Sequence, residues 1–239
     1  MKDKIVAWIK DYFGERGKAI IGISGGKDST VAAALCVEAL GKNRVLGVLM
    51  PEGIQKDIED SYRVCKFLDI PHYEVNIGVA MDALTAELPE EFFGKNNNIY
   101  YTNTPARLRM TTLYAVAGLV GGRVCNTSNA AEVYVGYSTK WGDGVGDFAP
   151  LRDLTVAEVI EVGRQCGLPE DLLVKPPADG MSGKTDEDNL GFTYEDVARV
   201  MNTDIEGMDL SVFAQIVERH VISEHKRGVN IPYFKKGSN

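Results

Sequence analysis

The sequence predicts an α/β fold: a doubly wound parallel sheet sandwiched by helices. Two observations lead to this prediction. Short, nearly continuous apolar runs alternate with segments of helical spacing through the first half of the chain, and the first of these runs is followed by a glycine-rich turn and then a helix. Strands that are buried on both faces have such runs, and a helix between two strands makes their pairing parallel. Because the crossovers are right-handed, helices cover both faces of the sheet, and ligands bind beyond the carboxyl ends of the strands.

The predicted elements follow one another in a regular order. The first 18 residues predict an amphipathic helix whose apolar face consists of Ile5, Trp8, Ile9, Tyr12 and Phe13. Strands are predicted at residues 18–24, 44–50, 71–77 and 122–127. Helices are predicted between them at residues 30–40, 57–68, 78–88 and 103–120.

The second half of the chain is predicted to contain helices and long loops. Residues 136–153 are rich in Gly and Asp, and residues 175–189 form a long polar stretch. Loops of this length inside a compact protein are usually functional lids or disordered segments. Helices are predicted at residues 154–166, 193–201 and 209–225. Because no stretch has the composition of a flexible linker, we expect residues 1–239 to form a single domain.

The composition limits the kind of protein this can be. The chain has 34 Asp and Glu against 26 Lys and Arg, a net charge of −8, which argues against nucleic-acid binding because phosphate contacts require clustered cations. No apolar run approaches the roughly 20 residues that span a bilayer, so no membrane partner is expected. Four scattered cysteines without a CxxC pair suit a reducing compartment. We therefore expect a cytoplasmic protein.

The turn after the first predicted strand contains the strongest local signal. Residues 24–29 read Ser-Gly-Gly-Lys-Asp-Ser and lead directly into a helix. Two glycines allow the backbone to approach a ligand closely, and the start of a helix attracts phosphate oxygens. Asp28 is placed to hold a magnesium ion that bridges phosphates. The segment is neither a P-loop, which has Ser or Thr directly after the lysine, nor the dinucleotide motif GxGxxG.

This order of strand, SGGxDS loop and helix resembles the pyrophosphate loop of the N-type ATP pyrophosphatases, which have the adenine nucleotide alpha hydrolase-like fold. Within that superfamily, the later segments are similar to those of NAD synthetases. These segments are Asn-Thr-Pro-Ala-Arg-Leu-Arg-Met at 103–110, Asn-Thr-Ser-Asn-Ala-Ala-Glu at 126–132, the Gly-Asp-rich stretch 136–151, the block 184–194 and His-Lys at 225–226. The chain is thus identified as a member of the NAD synthetase family. A thiolating tRNA enzyme would require paired cysteines and a basic surface, and nothing here resembles the additional domains of GMP synthetase.

The resemblance implies a ligase that acts in two steps. ATP adenylates the carboxylate of deamido-NAD and releases pyrophosphate, and ammonia then displaces AMP to form NAD. Magnesium is the implied cofactor, ATP the co-substrate, and a homodimer the implied assembly. The chain has too few residues ahead of the loop for a glutaminase domain. We therefore expect the ammonia-dependent form, or one supplied by a separate glutaminase. The alternative is a catalytically inactive nucleotide-binding protein of the same fold.

The resemblance also assigns roles to individual residues. Asp28 and Glu132 are the implied magnesium ligands, and Asp143 is an acid near the ammonia site that takes a proton from ammonium. The implied ATP-binding residues are Gly22, Ile23, Ser24, Gly25, Gly26, Lys27, Asp28, Ser29 and Thr127. The implied contacts of deamido-NAD are Arg107, Lys140, Asp147, His225 and Lys226. Arg109 shares a motif with Arg107 but points elsewhere on the helix, so we expect it to make a structural ion pair.

The chain departs from the family pattern at a few positions. Val156 stands where relatives have an ATP-contacting lysine, and Asn126 replaces a glycine before Thr127. Because many relatives have an uncharged residue at the position of Lys27, we hypothesise that Lys27 compensates for the lysine missing at Val156.

Overall fold

The computed structural model describes residues 1–55, 58–94, 97–174, 185–227 and 235–236. Within these residues, four strands form one parallel sheet in the spatial order third, second, first, fourth. The strands are β1 (Lys18–Gly22), β2 (Val45–Leu49), β3 (His72–Glu74) and β4 (Gly122–Val124). The predicted parallel sheet is confirmed. The strand order reverses at β1, so the glycine-rich turn lies at the point where ligands bind in open parallel sheets.

Helices connect and follow the strands. The helices that precede β4 in the chain are α1 (Lys2–Phe13), α2 (Lys27–Leu40), α3 (Ile58–Phe67), α4 (Gly78–Glu87) and α5 (Asn98–Val120). Those after β4 are α6 (Ala130–Val135), α7 (Val156–Gln165), α8 (Glu170–Leu173), α9 (Asp186–Leu190), α10 (Tyr194–Met201), α11 (Leu210–Ile222) and α12 (Glu224–Arg227). Among the described helices, none is long and apolar enough to cross a membrane.

Alternate residues of the central strands enter two different hydrophobic cores. Ile21 of β1 packs with α1, α2 and α7, whereas its neighbour Ile20 packs with Met110 and Leu113 of α5 on the opposite face. Successive side chains of a strand point to opposite faces, so a sheet covered on both sides needs apolar residues at every position. This is why the strands are continuous apolar runs in the sequence.

A third hydrophobic cluster lies beyond β4 and joins the later helices. Ala131 and Val135 of α6 pack with Val197 of α10 and Ile216 of α11. Phe192 and Tyr194 belong to the same cluster. The cluster attaches the C-terminal helices to α6, the short helix that follows the carboxyl end of β4.

Several elements differ from the sequence prediction. Helix α5 begins at Asn98, five residues earlier than predicted, and contains Pro105 in its interior. Proline is common in the first turn of a helix, so Pro105 suggests a helix that starts near residue 103. The predicted start of α5 is therefore too late. Helix α2 begins at Lys27 rather than residue 30, so the loop residues Lys27, Asp28 and Ser29 form its first turn. Residues 175–184 of the predicted polar stretch 175–189 lie outside the described residues.

Close packing of α7 against α2 and α8 makes Gly163 sensitive to substitution. A Cβ at Gly163 would lie 2.4 Å from Leu173 Cδ2 and 2.9 Å from Val31 Cγ2. We expect Gly163→Ala to lower the free energy of unfolding by about 1–3 kcal/mol, because an overpacked contact forces side chains or backbone to shift. Urea unfolding measures the change.

The matched control for that substitution is Gly118→Ala in α5, where an added Cβ meets no atom within 4 Å. We expect this variant to gain about 0.5–1 kcal/mol, because Ala favours the helix over Gly. Equal stability of the Gly163→Ala protein and the wild type would contradict the packing argument.

Candidate active site

The loop between β1 and α2 is held in shape by its own hydroxyl groups. Ser24 Oγ lies 3.1 Å from Ser29 Oγ and accepts a hydrogen bond from Gly26 N at 3.2 Å. Ser29 Oγ and Thr30 Oγ1 both donate to Gly26 O, at 3.1 and 2.8 Å. Gly26 is the N-cap of α2 and has no side chain to cap the helix. The first N–H groups of α2 are therefore left for an anion such as phosphate.

Gly25 is required by both its backbone conformation and its surroundings. Its φ is +79°, and a Cβ there would lie 2.7 Å from Asp60 Cβ on α3. Only glycine tolerates this combination of left-handed backbone and close approach. Two further residues of the predicted ATP-binding set lie at the sheet. Gly22 is the last residue of β1, and Ile23 is buried with its N–H donating to Val48 O at 3.0 Å.

The two predicted metal ligands meet through Asn129. This fully buried residue is the N-cap of α6, and its Oδ1 accepts from the N–H groups of Ala131 and Glu132 at 3.0 and 3.1 Å. The carboxylate of Glu132 accepts in return from Asn129 N at 3.0 Å. Asn129 Nδ2 donates to Asp28 Oδ1 at 3.4 Å. One asparagine thus links the acid of the phosphate loop to the acid of α6.

The electrostatics of this acid pair suit a divalent cation. Burial and the neighbouring carboxylate of Asp28 raise the pKa of Glu132 well above its usual range, and the ammonium of Lys27 opposes that shift. Among the described residues there is no cluster of three or more His, Cys, Asp or Glu that could hold a metal. Magnesium usually takes only one or two protein carboxylates and completes its shell with phosphate oxygens and water. Asp28 and Glu132 are therefore a donor set that fits magnesium bound together with ATP.

Asn126 connects the end of β4 to the Gly-Asp-rich loop. Its side chain is buried, and Nδ2 donates to Asp143 O at 2.8 Å and to Val145 O at 3.0 Å. Its Oδ1 accepts from Ser128 N at 3.1 Å. Thr127 is the residue between Asn126 and Ser128 and follows the carboxyl end of β4, and its contact with ATP stays a prediction. Asn126 thereby fixes the backbone of Asp143 beside the residue predicted to contact ATP.

Asp143 lies in a turn whose shape depends on α5. Its Oδ1 accepts from Thr139 N at 2.8 Å, and Thr139 Oγ1 donates to Asn103 Oδ1 of α5 at 3.0 Å. Arg107, one helical turn beyond Asn103, donates from Nε to Lys140 O at 3.2 Å. The motif at 103–110 and the motif at 136–151 therefore form one structural unit. It brings Arg107, Lys140 and Asp143 to the same side of the molecule.

Arg109 also reaches the carboxyl edge of the sheet. Its Nε donates to Met50 O, directly after β2, at 3.0 Å. Burial lowers the pKa of Arg109, and the charges of Glu52 and Asp143 partly oppose that effect. This hydrogen bond goes to a backbone carbonyl and not to the carboxylate that the predicted ion pair requires, so Arg109 links α5 to the end of β2.

Lys226 holds the loop that precedes Thr139. Its Nζ donates to Gly136 O at 2.8 Å and to Ser138 O at 2.7 Å. Burial lowers its pKa, and the charge of Asp143 opposes that shift. His225 is exposed at the start of the same short helix, with Nδ1 3.0 Å from Ile222 O. The structure thus brings Lys226, but not the His225 ring, against the Gly-Asp-rich loop.

Asp147 is engaged within the protein. Its Oδ2 accepts from Val124 N of β4 at 2.7 Å, and its Oδ1 accepts from Tyr114 OH at 3.2 Å. Burial, followed by the charge of Asp147, raises the pKa of Tyr114 to about 12. The carboxylate therefore fixes β4 to the loop and to α5.

Sequence reasoning missed Asn103 and Asn129 as residues that build this site. Both are asparagines in otherwise recognised motifs, and Asn129 precedes a helix with Glu three residues later. That spacing is the pattern of a capping box, which the structure contains. The link from Asn129 to Asp28 joins residues 101 positions apart and has no signal in the sequence.

A parallel sheet that reverses order at its glycine-rich loop, with two carboxylates joined beside that loop, defines a protein of the adenine nucleotide alpha hydrolase-like class. The family model described as NAD synthase matches residues 1–230. The chain therefore belongs to the NAD synthase family.

Individual relatives agree with that membership. The NH(3)-dependent NAD(+) synthetase of Pyrococcus horikoshii is 37% identical over 249 aligned residues, which cover 98% of this chain and 95% of the relative. The structure of NMN synthetase from Francisella tularensis has a TM-score of 0.86 at 33% identity and covers 96% of this chain and 95% of that one. The structure of NH3-dependent NAD synthetase from Campylobacter jejuni has a TM-score of 0.78 at 25% identity, with 96% of each chain covered.

Proposed function

We propose that this chain catalyses the ATP-dependent amidation of deamido-NAD to NAD with ammonia. The nicotinate carboxylate attacks the α-phosphate of ATP, which forms an acyl adenylate and releases pyrophosphate. Ammonia then attacks the acyl carbon and AMP leaves. A carboxylate is a poor acyl donor to an amine until one of its oxygens becomes part of a good leaving group. The reaction therefore needs a site that binds triphosphate beside a second anionic substrate.

The observation that carries this proposal is the junction of Asp28, Asn129 and Glu132 at the phosphate loop. The hydrogen bonds of Asn129 hold both acids where β1 and β4 end, and the first N–H groups of α2 lie on the same side. Residues 22–29 and Thr127 would bind ATP in this arrangement, and Asp28 and Glu132 would hold magnesium. When bound there, the magnesium ion offsets the negative charge of the phosphates.

The second substrate fits the cationic side of the site. Arg107 and Lys140 share a hydrogen bond through the Lys140 carbonyl, and their charged groups suit a ligand with a pyrophosphate and a carboxylate. Asp147, His225 and Lys226 complete the proposed contacts of deamido-NAD. Asp143 takes a proton from ammonium, in a turn that Asn126 and Thr139 hold in place. An inactive nucleotide-binding protein would have no need of this second, linked set of residues.

The decisive experiment is a coupled assay with the full chain. The protein is incubated with ATP, magnesium, deamido-NAD and ammonium, and NAD is measured with a dehydrogenase. We expect NAD to form only when all four components are present. Pyrophosphate release that needs deamido-NAD but yields no NAD would place adenylation here and indicate that ammonia comes from a separate glutaminase. Absence of both products would favour the inactive alternative.

A second candidate substrate is the mononucleotide of nicotinic acid. The relative that favours it is the Francisella tularensis protein, whose structure is described as an NMN synthetase and aligns with a TM-score of 0.86. The same assay with each substrate in turn, followed by separation of the products, compares the two values of kcat/KM. We expect the dinucleotide to be preferred, in line with the curated relatives named NAD(+) synthetases.

We infer that the chain acts as a cytoplasmic homodimer. Exposed apolar side chains on two helices support an interface: Ile99 and Leu119 on α5 are 76% and 87% exposed, and Leu210 and Ile222 on α11 are 82% and 64% exposed. Contiguous apolar patches commonly mark contacts between proteins, and these exposed side chains are available to such a contact. Light scattering coupled to size-exclusion chromatography tests the dimer, and a monomeric mass at assay concentration would contradict it.

A further inference from the structure

Lys27 is a buried cation at the centre of the acidic part of the site. Its side chain is 5% exposed, and its Nζ lies 2.9 Å from Asp28 Oδ2. Its Nζ also lies 5.9 Å from the centre of the Tyr194 ring, in the position of a cation–π contact. The lysine side chain therefore turns back from the start of α2 towards α6 and α10 instead of extending into solvent.

The surroundings of Lys27 are strongly negative. Burial alone would lower its pKa, but the carboxylates of Asp28, Glu132 and Asp186 outweigh that effect and raise it. Tyr194 OH donates to Asp186 Oδ2 at 3.1 Å, so α9 and α10 contribute to the same group. Acidic residues of α2, α6 and α9 thus surround the ammonium of Lys27.

The ammonium of Lys27 and a divalent cation would compete for the same oxygen. Asp28 Oδ1 is the acceptor for Asn129 Nδ2, and Asp28 Oδ2 is the acceptor for Lys27. A metal ion that binds Asp28 through Oδ2 must therefore displace the ammonium. Lysine carries its charge on a flexible stem of four methylenes, so the head group can move without a change in the backbone.

We propose that Lys27 is an internal counter-ion that occupies Asp28 in the ligand-free enzyme and moves to the phosphates of ATP when magnesium arrives. This inference rests on the proposed function, because that function places ATP phosphates on the loop that contains Lys27. The proposed phosphate site lies within reach of the side chain, since Lys27 is the first residue of α2 and directly follows the N-cap Gly26. Before ATP and magnesium bind, the Lys27 ammonium neutralises the charge of Asp28. After they bind, the same ammonium contacts a phosphate.

If Lys27 has this role, removing its charge should strengthen the binding of a metal ion alone and weaken the binding of an ATP analogue. A purely structural ion pair would not give these opposite effects. Lys27→Met keeps an unbranched side chain that is one atom shorter and removes the charge. We expect the variant to bind Mn²⁺ about tenfold more tightly in the absence of ATP, because a competing charge a few ångströms from the metal is gone. We expect it to bind α,β-methylene-ATP with Mg²⁺ about tenfold more weakly, because one cationic contact to phosphate is lost.

The binding experiments use the full chain without deamido-NAD, so they are independent of turnover. Electron paramagnetic resonance counts free Mn²⁺, and calorimetry measures binding of the methylene analogue. Lys10→Met, on the exposed side of α1, is the matched control and should change neither affinity. Weaker binding of both ligands would reduce Lys27 to a structural ion pair, and an unchanged Mn²⁺ affinity, including no binding by either protein, would overturn the competition.

A second measurement avoids the effect of the substitution on folding. The protein is labelled with ¹⁵N-lysine, and the ammonium signal of Lys27 is identified by its absence from Lys27→Gln, which retains a hydrogen-bonding head group. We expect this signal in the wild type to shift when α,β-methylene-ATP and Mg²⁺ are added together. A signal that stays at its ligand-free position would show that the ammonium remains on Asp28 and would refute the proposal. If the wild-type chain formed no NAD while both binding results were as expected, the proposed function would be wrong and the inference about Lys27 would stand.

Discussion

Asp28→Asn is expected to reduce kcat/KM for NAD formation by about 100- to 1,000-fold, as loss of one preorganised charge in a catalytic site does. The substitution preserves the shape of the side chain and leaves Oδ1 to accept from Asn129, but it removes the charge that pairs with Lys27 and that would hold magnesium. The coupled NAD assay measures the loss, and titration with Mg²⁺ shows whether it results from weaker metal binding. A partial recovery at high Mg²⁺ is expected if Asp28 is a metal ligand.

The control for this experiment is Asp11→Asn, on the exposed side of α1. It removes the same charge from the chain as a whole and should leave kcat/KM unchanged. If Asp28→Asn retained most of the wild-type activity at low Mg²⁺, the assignment of the acid pair to the metal would be wrong. Circular dichroism of both variants should match the wild type under assay conditions, because Asp28 contributes no contact to the hydrophobic cores. Asp28→Asn should unfold at a lower urea concentration, because the buried ammonium of Lys27 loses its partner.

Asn126→Ala is expected to lower kcat by about 100-fold, as misplacement of a catalytic group by about 1 Å can do. The side chain holds the backbone at Asp143 and Val145 and accepts from Ser128 N, and all three contacts disappear together. Two of the three hydrogen bonds of Asn126 go to the Asp143 loop and one goes to Ser128, next to Thr127, so we expect the fall in kcat to exceed any rise in the KM for ATP. A rise in KM as large as the fall in kcat would show that the variant mainly impairs ATP binding.

The same variant should also be less stable. The buried Asn126 side chain makes three hydrogen bonds to the backbone, and their loss leaves the backbone partners unsatisfied. We expect this to lower the free energy of unfolding by about 2–3 kcal/mol. Asn43→Ala, at an exposed position before β2, serves as the control and should change neither stability nor kcat. Wild-type kcat in Asn126→Ala would show that Asp143 reaches its position without this link.

Much of the fold could be predicted from the sequence because its determinants are local or periodic. The β1 and β2 segments consist largely of apolar residues, since both their faces are covered, and that pattern alone indicates a parallel sheet. The Ser-Gly-Gly-Lys-Asp-Ser turn is likewise a contiguous segment, whose glycines and helix start have a direct physical meaning. Residues 98–102 of α5 were missed because Pro105 resembles a helix start when it is seen without its neighbours.

The links within the site could not be predicted in this way. Asn126 holds residues that lie 17 and 19 positions further along the chain, and Lys226 reaches back about 90 positions to the carbonyls of Gly136 and Ser138. Hydrogen bonds of this kind leave no periodic pattern, because the partner on one side is often a backbone carbonyl that every residue possesses. Asp147 shows the same limit, since the sequence indicated a charged residue but not its bond to Val124 N.

The sequence by itself determined the class of fold, the phosphate loop and the set of charged residues available for chemistry, because each depends on residue type and short spacing. Only the tertiary structure decided how those charges are paired. It joined Asp28 to Asn129 across 101 positions and directed the Lys27 ammonium into the acidic group. The physical reason is that a charge is defined by the residue, whereas the strength and the consequence of its interactions depend on distance and burial, and the fold alone sets both.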